Sequence, residues 1–156
     1  MNKFEKIKEK INNLSDFKFI LLSVLLCEIS DLILTFIFNV FNITDLIISG
    51  PNLEEYSLLV NIVDVIILTP LIETGILILI IKILRKFIKN DILNWLIVSL
   101  IFAGLHNYSI YYILIIVPSG FIFNYAYIFY KTKNLSIYWV MAIIHMLCNL
   151  IAFMSP

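Results

Sequence analysis

Cysteine, glycine, histidine and charge are all scarce in this chain of 156 residues, and each scarcity excludes something. The two cysteines, Cys27 and Cys148, both lie inside apolar runs. That argues against a cysteine-built zinc site or a disulfide framework and leaves at most one pair. The four glycines form no glycine-rich phosphate loop, and no nucleotide-binding motif is present. Charged residues make up only 14% of the chain, with no basic surface interleaved with aromatics, so nucleic acid is excluded as a partner. A His-Glu-x-x-His helix is missing, and the C-terminus carries no prenylation box.

What is present is apolar: 62% of the residues are hydrophobic, more than a water-soluble domain of this size can cover. The composition predicts an all-α, polytopic transmembrane helix bundle with about five membrane-spanning helices. The formal net charge of zero conceals a segregated distribution. All 11 basic residues fall in three clusters: Lys3, Lys6, Lys8, Lys10 and Lys18; Lys82, Arg85, Lys86 and Lys89; and Lys131 and Lys133. Each gap between them is long enough for two crossings, so every cluster can lie on one side, which the positive-inside rule makes the cytoplasm. The expectation is a multi-pass cell-membrane protein with its N-terminus in the cytoplasm. Residues 1–16 read as an amphipathic cytoplasmic leader, with Phe4, Ile7, Ile11 and Leu14 at helical spacing, and residues 17–154 as one transmembrane domain. The first apolar run is long, holds Glu28 and Asp31 and lacks a small-residue cleavage site, so it reads as an uncleaved crossing rather than a signal peptide.

The predicted crossings are 17–41, 58–84, 92–105, 108–130 and 135–153. Glu28 and Asp31 share a face of the first, where they need a buried partner or a water-filled groove. The connection 42–57 holds Asp45, Glu54 and Glu55 and no basic residue, as an external loop would, and its stretch 43–48 is expected to dip into the interface. The second crossing carries Asp64, Pro70 and Glu73. Proline removes an amide donor and can kink the helix one turn before Glu73, provided a neighbour or water satisfies the released carbonyl. On an ideal helix Asp64 lies nearly opposite Glu73, so it is assigned to structure or to the external rim. The third crossing is short. The fourth has tyrosines at both ends, Tyr108, Tyr111 and Tyr112 and then Tyr125, Tyr127 and Tyr130, which suits interfacial belts.

Glu73, with about ten mostly aliphatic residues on either side, is the residue most in need of explanation, because an intramembrane carboxylate is costly and normally serves a function. The only two histidines, His106 and His145, also lie in or beside apolar segments, and Asn149 shares the helical face of His145 at a spacing of four. Counting 1.5 Å per residue from the basic ends puts Glu73 about 16 Å deep, His145 about 15 Å, and His106 and Asn149 about 21 Å. These depths are compatible with one cavity in the mid to outer membrane.

The motifs Pro70-Leu71-Ile72-Glu73-Thr74, Phe102-Ala103-Gly104-Leu105-His106 and His145-Met146-Leu147-Cys148-Asn149, in that order, resemble the intramembrane CAAX-protease and bacteriocin-processing (CPBP/Abi) family, which includes the prenyl endopeptidases. Gly120 and the Tyr130-Lys131-Thr132 turn also fall where that family would have them, and the likeness covers about 65–153. The resemblance implies an intramembrane endopeptidase that hydrolyses a peptide bond of a small membrane-associated or prenylated substrate. Glu73 and His106 would activate water, and His145 and Asn149 would stabilise the oxyanion, with no cofactor. Two positions depart from the pattern: Thr74 stands where the family has a second glutamate, and Ile78 where it has an arginine. Those departures motivate an alternative, a non-catalytic membrane immunity protein of the bacteriocin type. Glu73, His106 and His145 could instead form a two-His, one-carboxylate zinc site. A polar transport path through Glu28, Asp31, Asp64 and Glu73 is a further alternative, disfavoured by the lack of an internal repeat.

Overall fold

A computed structural model describes residues 3–43 and 57–155. The predicted external loop, including its expected interfacial dip, lies mostly outside the described residues. Among those described, the chain forms six continuous helices and no strand: α1 (Lys3–Asn12), α2 (Asp16–Val40), α3 (Leu58–Phe87), α4 (Asp91–Leu105), α5 (Ile110–Phe129) and α6 (Ile137–Met154). The expected all-α membrane bundle is therefore observed. Helices α2, α3, α5 and α6 are long and apolar enough to cross a membrane, and α4 is a shorter apolar helix of 15 residues.

Side-chain caps set the helix starts. The hydroxyls of Ser15, Ser57, Ser109 and Ser136 and the amide oxygen of Asn90 each accept from the backbone N–H three residues on, at the starts of α2, α3, α5, α6 and α4 respectively. Each satisfies one of the donors a helix leaves open in its first turn. The helices consequently begin within two residues of the apolar runs' edges, one earlier than predicted for α2 and α4 and two later for α5 and α6.

Helix α3 is not uniform. Its stretch Ile62–Leu68 is π-helical, and the N–H of Thr69 donates to the carbonyl of Asp64, five residues back. The next donor in that ladder would be Pro70, which has no N–H. The backbone thus widens immediately before the proline instead of breaking, and π turns of this kind insert one extra residue into an otherwise α-helical run.

The basic clusters converge at one end of the bundle. There the guanidinium of Arg85 lies 5.6 Å from the Tyr127 ring centre and the ammonium of Lys8 5.5 Å from that of Phe129. Asp16 ties this end together. One carboxylate oxygen accepts from the Tyr130 hydroxyl at 2.9 Å and the Lys133 N–H at 2.8 Å; the other accepts from the N–H groups of Asn134 at 2.6 Å and Leu135 at 2.8 Å. Burial, then the Asp16 carboxylate, push the Tyr130 phenol well above its ordinary range, so it stays a donor. Helix α1 is held to the same turn by Asn12, whose side chain donates to the carbonyl of Phe129 and accepts from the N–H of Lys131.

The interior is built from Leu77 and Ile81 of α3, Val98 and Phe102 of α4, Phe123 and Ala126 of α5, and Val140, Met141 and Ile144 of α6. Between lipid-embedded helices such packing depends on close approach, which small residues permit. Gly120 provides it: a Cβ there would stand 2.9 Å from the Ser99 carbonyl oxygen and 3.1 Å from the Phe102 ring. The same contact is latched by the Ser99 hydroxyl, which donates to the Gly120 carbonyl at 3.1 Å.

Candidate functional site

At 1.5 Å per residue α4 covers only about 22 Å of the ~30 Å hydrocarbon thickness. It stops at His106, its C-cap, whose N–H donates to the Ala103 carbonyl. The early stop leaves a recess at the end of the bundle opposite the basic clusters, floored by α3 and α6. A cavity of about 410 Å³ occupies it, lined by Asp64, Thr69, Glu73, His106, Tyr112 and Asn149 among others.

Three of the four singled-out side chains meet directly. Glu73 Oε2 lies 3.6 Å from His145 Nε2 and 3.9 Å from His106 Nε2. Both exceed hydrogen-bond length, and Oε2, although buried, has no hydrogen-bond partner in the protein. The far nitrogen of His106, Nδ1, lies 2.9 Å from the Phe102 carbonyl. A carbonyl can only accept, so Nδ1 carries a proton, and when the ring is neutral Nε2 turns a lone pair towards Glu73. Two acceptors therefore face one another across a gap, and a hydrogen-bond donor is what fits between them.

Phe102 explains the placement of both imidazoles. Its ring centre is 4.7 Å from that of His106 and 5.7 Å from that of His145, while Phe123 lies 5.2 Å from His145 on another side. His145 is buried at 6% exposure, and its Nδ1 has no partner.

Asn149 stands at the cavity wall and makes a more specific contact. Its Nδ2 donates to the Val65 carbonyl at 2.8 Å. In the π ladder that carbonyl would have received the N–H that Pro70 lacks, so Asn149 supplies the donor the proline removed. One of its two N–H groups is thereby committed, and the second remains for the cavity.

The cavity also gathers Asp64, which the sequence assigned to structure or to the external rim, and two of the tyrosines. Asp64 shares it with Glu73 rather than facing away: one extra residue in the π turn shifts the helical phase by about 100°, which brings the two carboxylates towards the same side. Asp64 is exposed at the rim and accepts from the Thr69 hydroxyl at 3.4 Å. Tyr108 and Tyr112, expected as interfacial anchors, line the cavity too. Their signal was proximity in sequence to His106, in a turn too short to carry them away from it. Thr74 and Ile78 do not face the opening. Thr74 is fully buried with an unpartnered hydroxyl, and Ile78 packs against the core.

Glu73, His106 and His145 each offer a ligand atom, all within 4.8 Å of one another, a donor set that fits zinc. His106 also has the backbone-carbonyl anchor usual for a metal-bound imidazole, whereas His145 lacks one.

No curated protein and no solved structure matches the chain. The sequence model of one family, described as Type II CAAX prenyl endopeptidase Rce1-like, matches residues 55–151, a stretch that holds all four singled-out residues and well over half of the chain. With a helical membrane bundle and that match together, the chain belongs to the Rce1-like type II CAAX prenyl endopeptidase family.

Proposed function

We propose that this protein is an intramembrane endopeptidase in which Glu73 and His106 hold and deprotonate a water molecule. The observation that carries the reading is the pair of facing acceptors, Glu73 Oε2 and His106 Nε2, at 3.9 Å. A water between them donates one hydrogen to each. Glu73 takes a proton as the water oxygen attacks the scissile carbonyl carbon, a role suited to a carboxylate held away from bulk solvent. The tetrahedral oxyanion is stabilised by the N–H of His145 and by the uncommitted N–H of Asn149. Glu73 then returns the proton to the leaving amine nitrogen as the C–N bond breaks. The substrate is a membrane-associated or prenylated peptide or protein.

Glu73→Gln keeps the shape of the side chain and removes the base. Purified wild-type protein in liposomes, assayed against a library of membrane-associated and prenylated peptides, is expected to cleave at least one. The variant is expected to lose about 100- to 10,000-fold in rate, the usual contribution of a general base. Full activity in the variant would overturn the assignment.

Two other readings have specific support. The fit of the donor set to zinc favours a metal-dependent version, in which Glu73, His106 and His145 would hold an ion that would supply Lewis acidity. The unanchored Nδ1 of His145 counts against it, and elemental analysis of purified protein decides. Thr74 and Ile78, with no acid–arginine pair behind Glu73, favour a non-catalytic immunity protein, which would protect cells equally well with Gln at position 73.

A further inference from the structure

Ionisable residues are partitioned along the bundle far more sharply than the zero net charge suggests. The 11 Lys and Arg residues share the basic end with only four carboxylates, Glu5, Glu9, Asp16 and Asp91. The other seven, Glu28, Asp31, Asp45, Glu54, Glu55, Asp64 and Glu73, lie in stretches with no Lys or Arg at all. Of these, Asp64 and Glu73 line the cavity, and no Lys or Arg does so among the described residues. His106 and Tyr108 follow the end of α4, Tyr112 lies in the first turn of α5, Ala152 and Phe153 in the last turn of α6, and Asp64 and Thr69 on the half of α3 remote from Arg85. At the rim, the exposed Asp64 accepts from the Thr69 hydroxyl with one oxygen.

Clusters of Lys and Arg stay in the cytoplasm, so the end opposite them is extracytoplasmic. We propose that the cavity opens to the extracytoplasmic side and receives a cationic peptide, with Asp64 at the rim pairing with its Lys or Arg. A negative mouth with no fixed cation raises the local concentration of positively charged chains and rejects acidic ones. The cleavage of such a peptide rests on the function proposed above; the direction of opening and the preference for positive charge do not.

Sidedness is read by cysteine labelling in intact cells with a membrane-impermeant maleimide. Ala152→Cys, at the exposed cavity mouth, is expected to label without lysis, and Asn13→Cys, exposed at the basic end, only after it. The native chain, with Cys27 buried and Cys148 half-buried, serves as background. The reverse pattern overturns the proposal. Should Ala152→Cys resist label even after lysis, Tyr108→Cys is the second position, and failure of both shows the mouth to be closed, which also overturns it.

Charge preference is read without turnover, as binding of a fluorescent Lys-containing amphipathic peptide to the Glu73→Gln protein in zwitterionic nanodiscs. Adding Asp64→Asn is expected to weaken binding about two- to fivefold at low salt, the range of an exposed ion pair, and the difference should vanish in high salt. Equal binding by both proteins, or by a peptide with every Lys replaced by Gln, would refute the preference. Absence of any cleavage by the wild type, alongside the expected labelling and binding, would remove the protease reading and leave this one standing.

Discussion

Replacing Asp16 with asparagine tests how the basic end is held together. The carboxylate accepts four hydrogen bonds, three from backbone N–H groups of the α5–α6 turn and one from Tyr130. Asparagine has one oxygen. If its NH₂ points to the Asn134 and Leu135 side, two backbone donors lose their acceptor. If it points the other way, Tyr130 can accept from it while donating to the Leu14 carbonyl, 3.1 Å away, so only the Lys133 N–H is stranded. The second orientation is the cheaper, and it still loses one charge-assisted bond and weakens the remaining pair. At about 1.5–3 kcal/mol for a hydrogen bond to a charged group, the loss comes to about 3 kcal/mol. For a chain of this size that lowers Tm by roughly 10 °C. The assay is thermal unfolding in detergent with a thiol-reactive fluorophore, since Cys27 and Cys148 are free and lie inside the bundle. Asp91→Asn is the control: its bond to Arg85 is as short, 2.9 Å, but exposed, and such pairs contribute about 0–1 kcal/mol. A shift for Asp16→Asn no larger than that of the control would refute the assignment of Asp16 as the tie.

Two further substitutions separate architecture from chemistry. Gly120→Ala sets a Cβ 2.9 Å from a backbone oxygen, which cannot swing aside, so α4 and α5 must part at a cost of about 1–3 kcal/mol. Both Tm and cleavage rate are expected to fall, because Phe102 moves with α4. Asn149→Ala strands the Val65 carbonyl, costing about 1–3 kcal/mol, and removes an oxyanion donor, costing about 100-fold in rate. It should therefore lower Tm as well as rate, whereas Glu73→Gln should lower rate alone; an unchanged Tm for Asn149→Ala would break the link to Pro70.

The sequence disclosed Glu73, His106, His145 and Asn149 because polar groups stand out against hydrocarbon, and only a few were there to choose from. Depth counts, which depend on nothing more than helical rise, were compatible with one shared cavity but gave no mutual distances. Apolar runs were poorer guides to helix ends, since hydrophobicity does not change at a cap. Ser57, Asn90, Ser109 and Ser136 marked those ends all along, in residue types that also suit loops. The orientation of Asp64 was hidden for a different reason. Pro70 announced a distortion, but not whether the helix would bend or widen, and only widening turns Asp64 towards Glu73. The docking of α1 through Asn12 depends on one asparagine meeting a turn more than a hundred residues away, a contact that periodicity cannot encode.

The π segment of α3 divides that helix into two parts that can change independently. Deleting one residue from Ile62–Leu68 restores ordinary α phase, and every side chain before the deletion rotates by about a hundred degrees while Glu73 and all that follows keep their places. Insertions and deletions here thus act as a dial on the rim, exchanging the groups an arriving chain meets first without disturbing the groups beneath. A scaffold with such a joint can diverge in what it admits while its chemistry stays fixed.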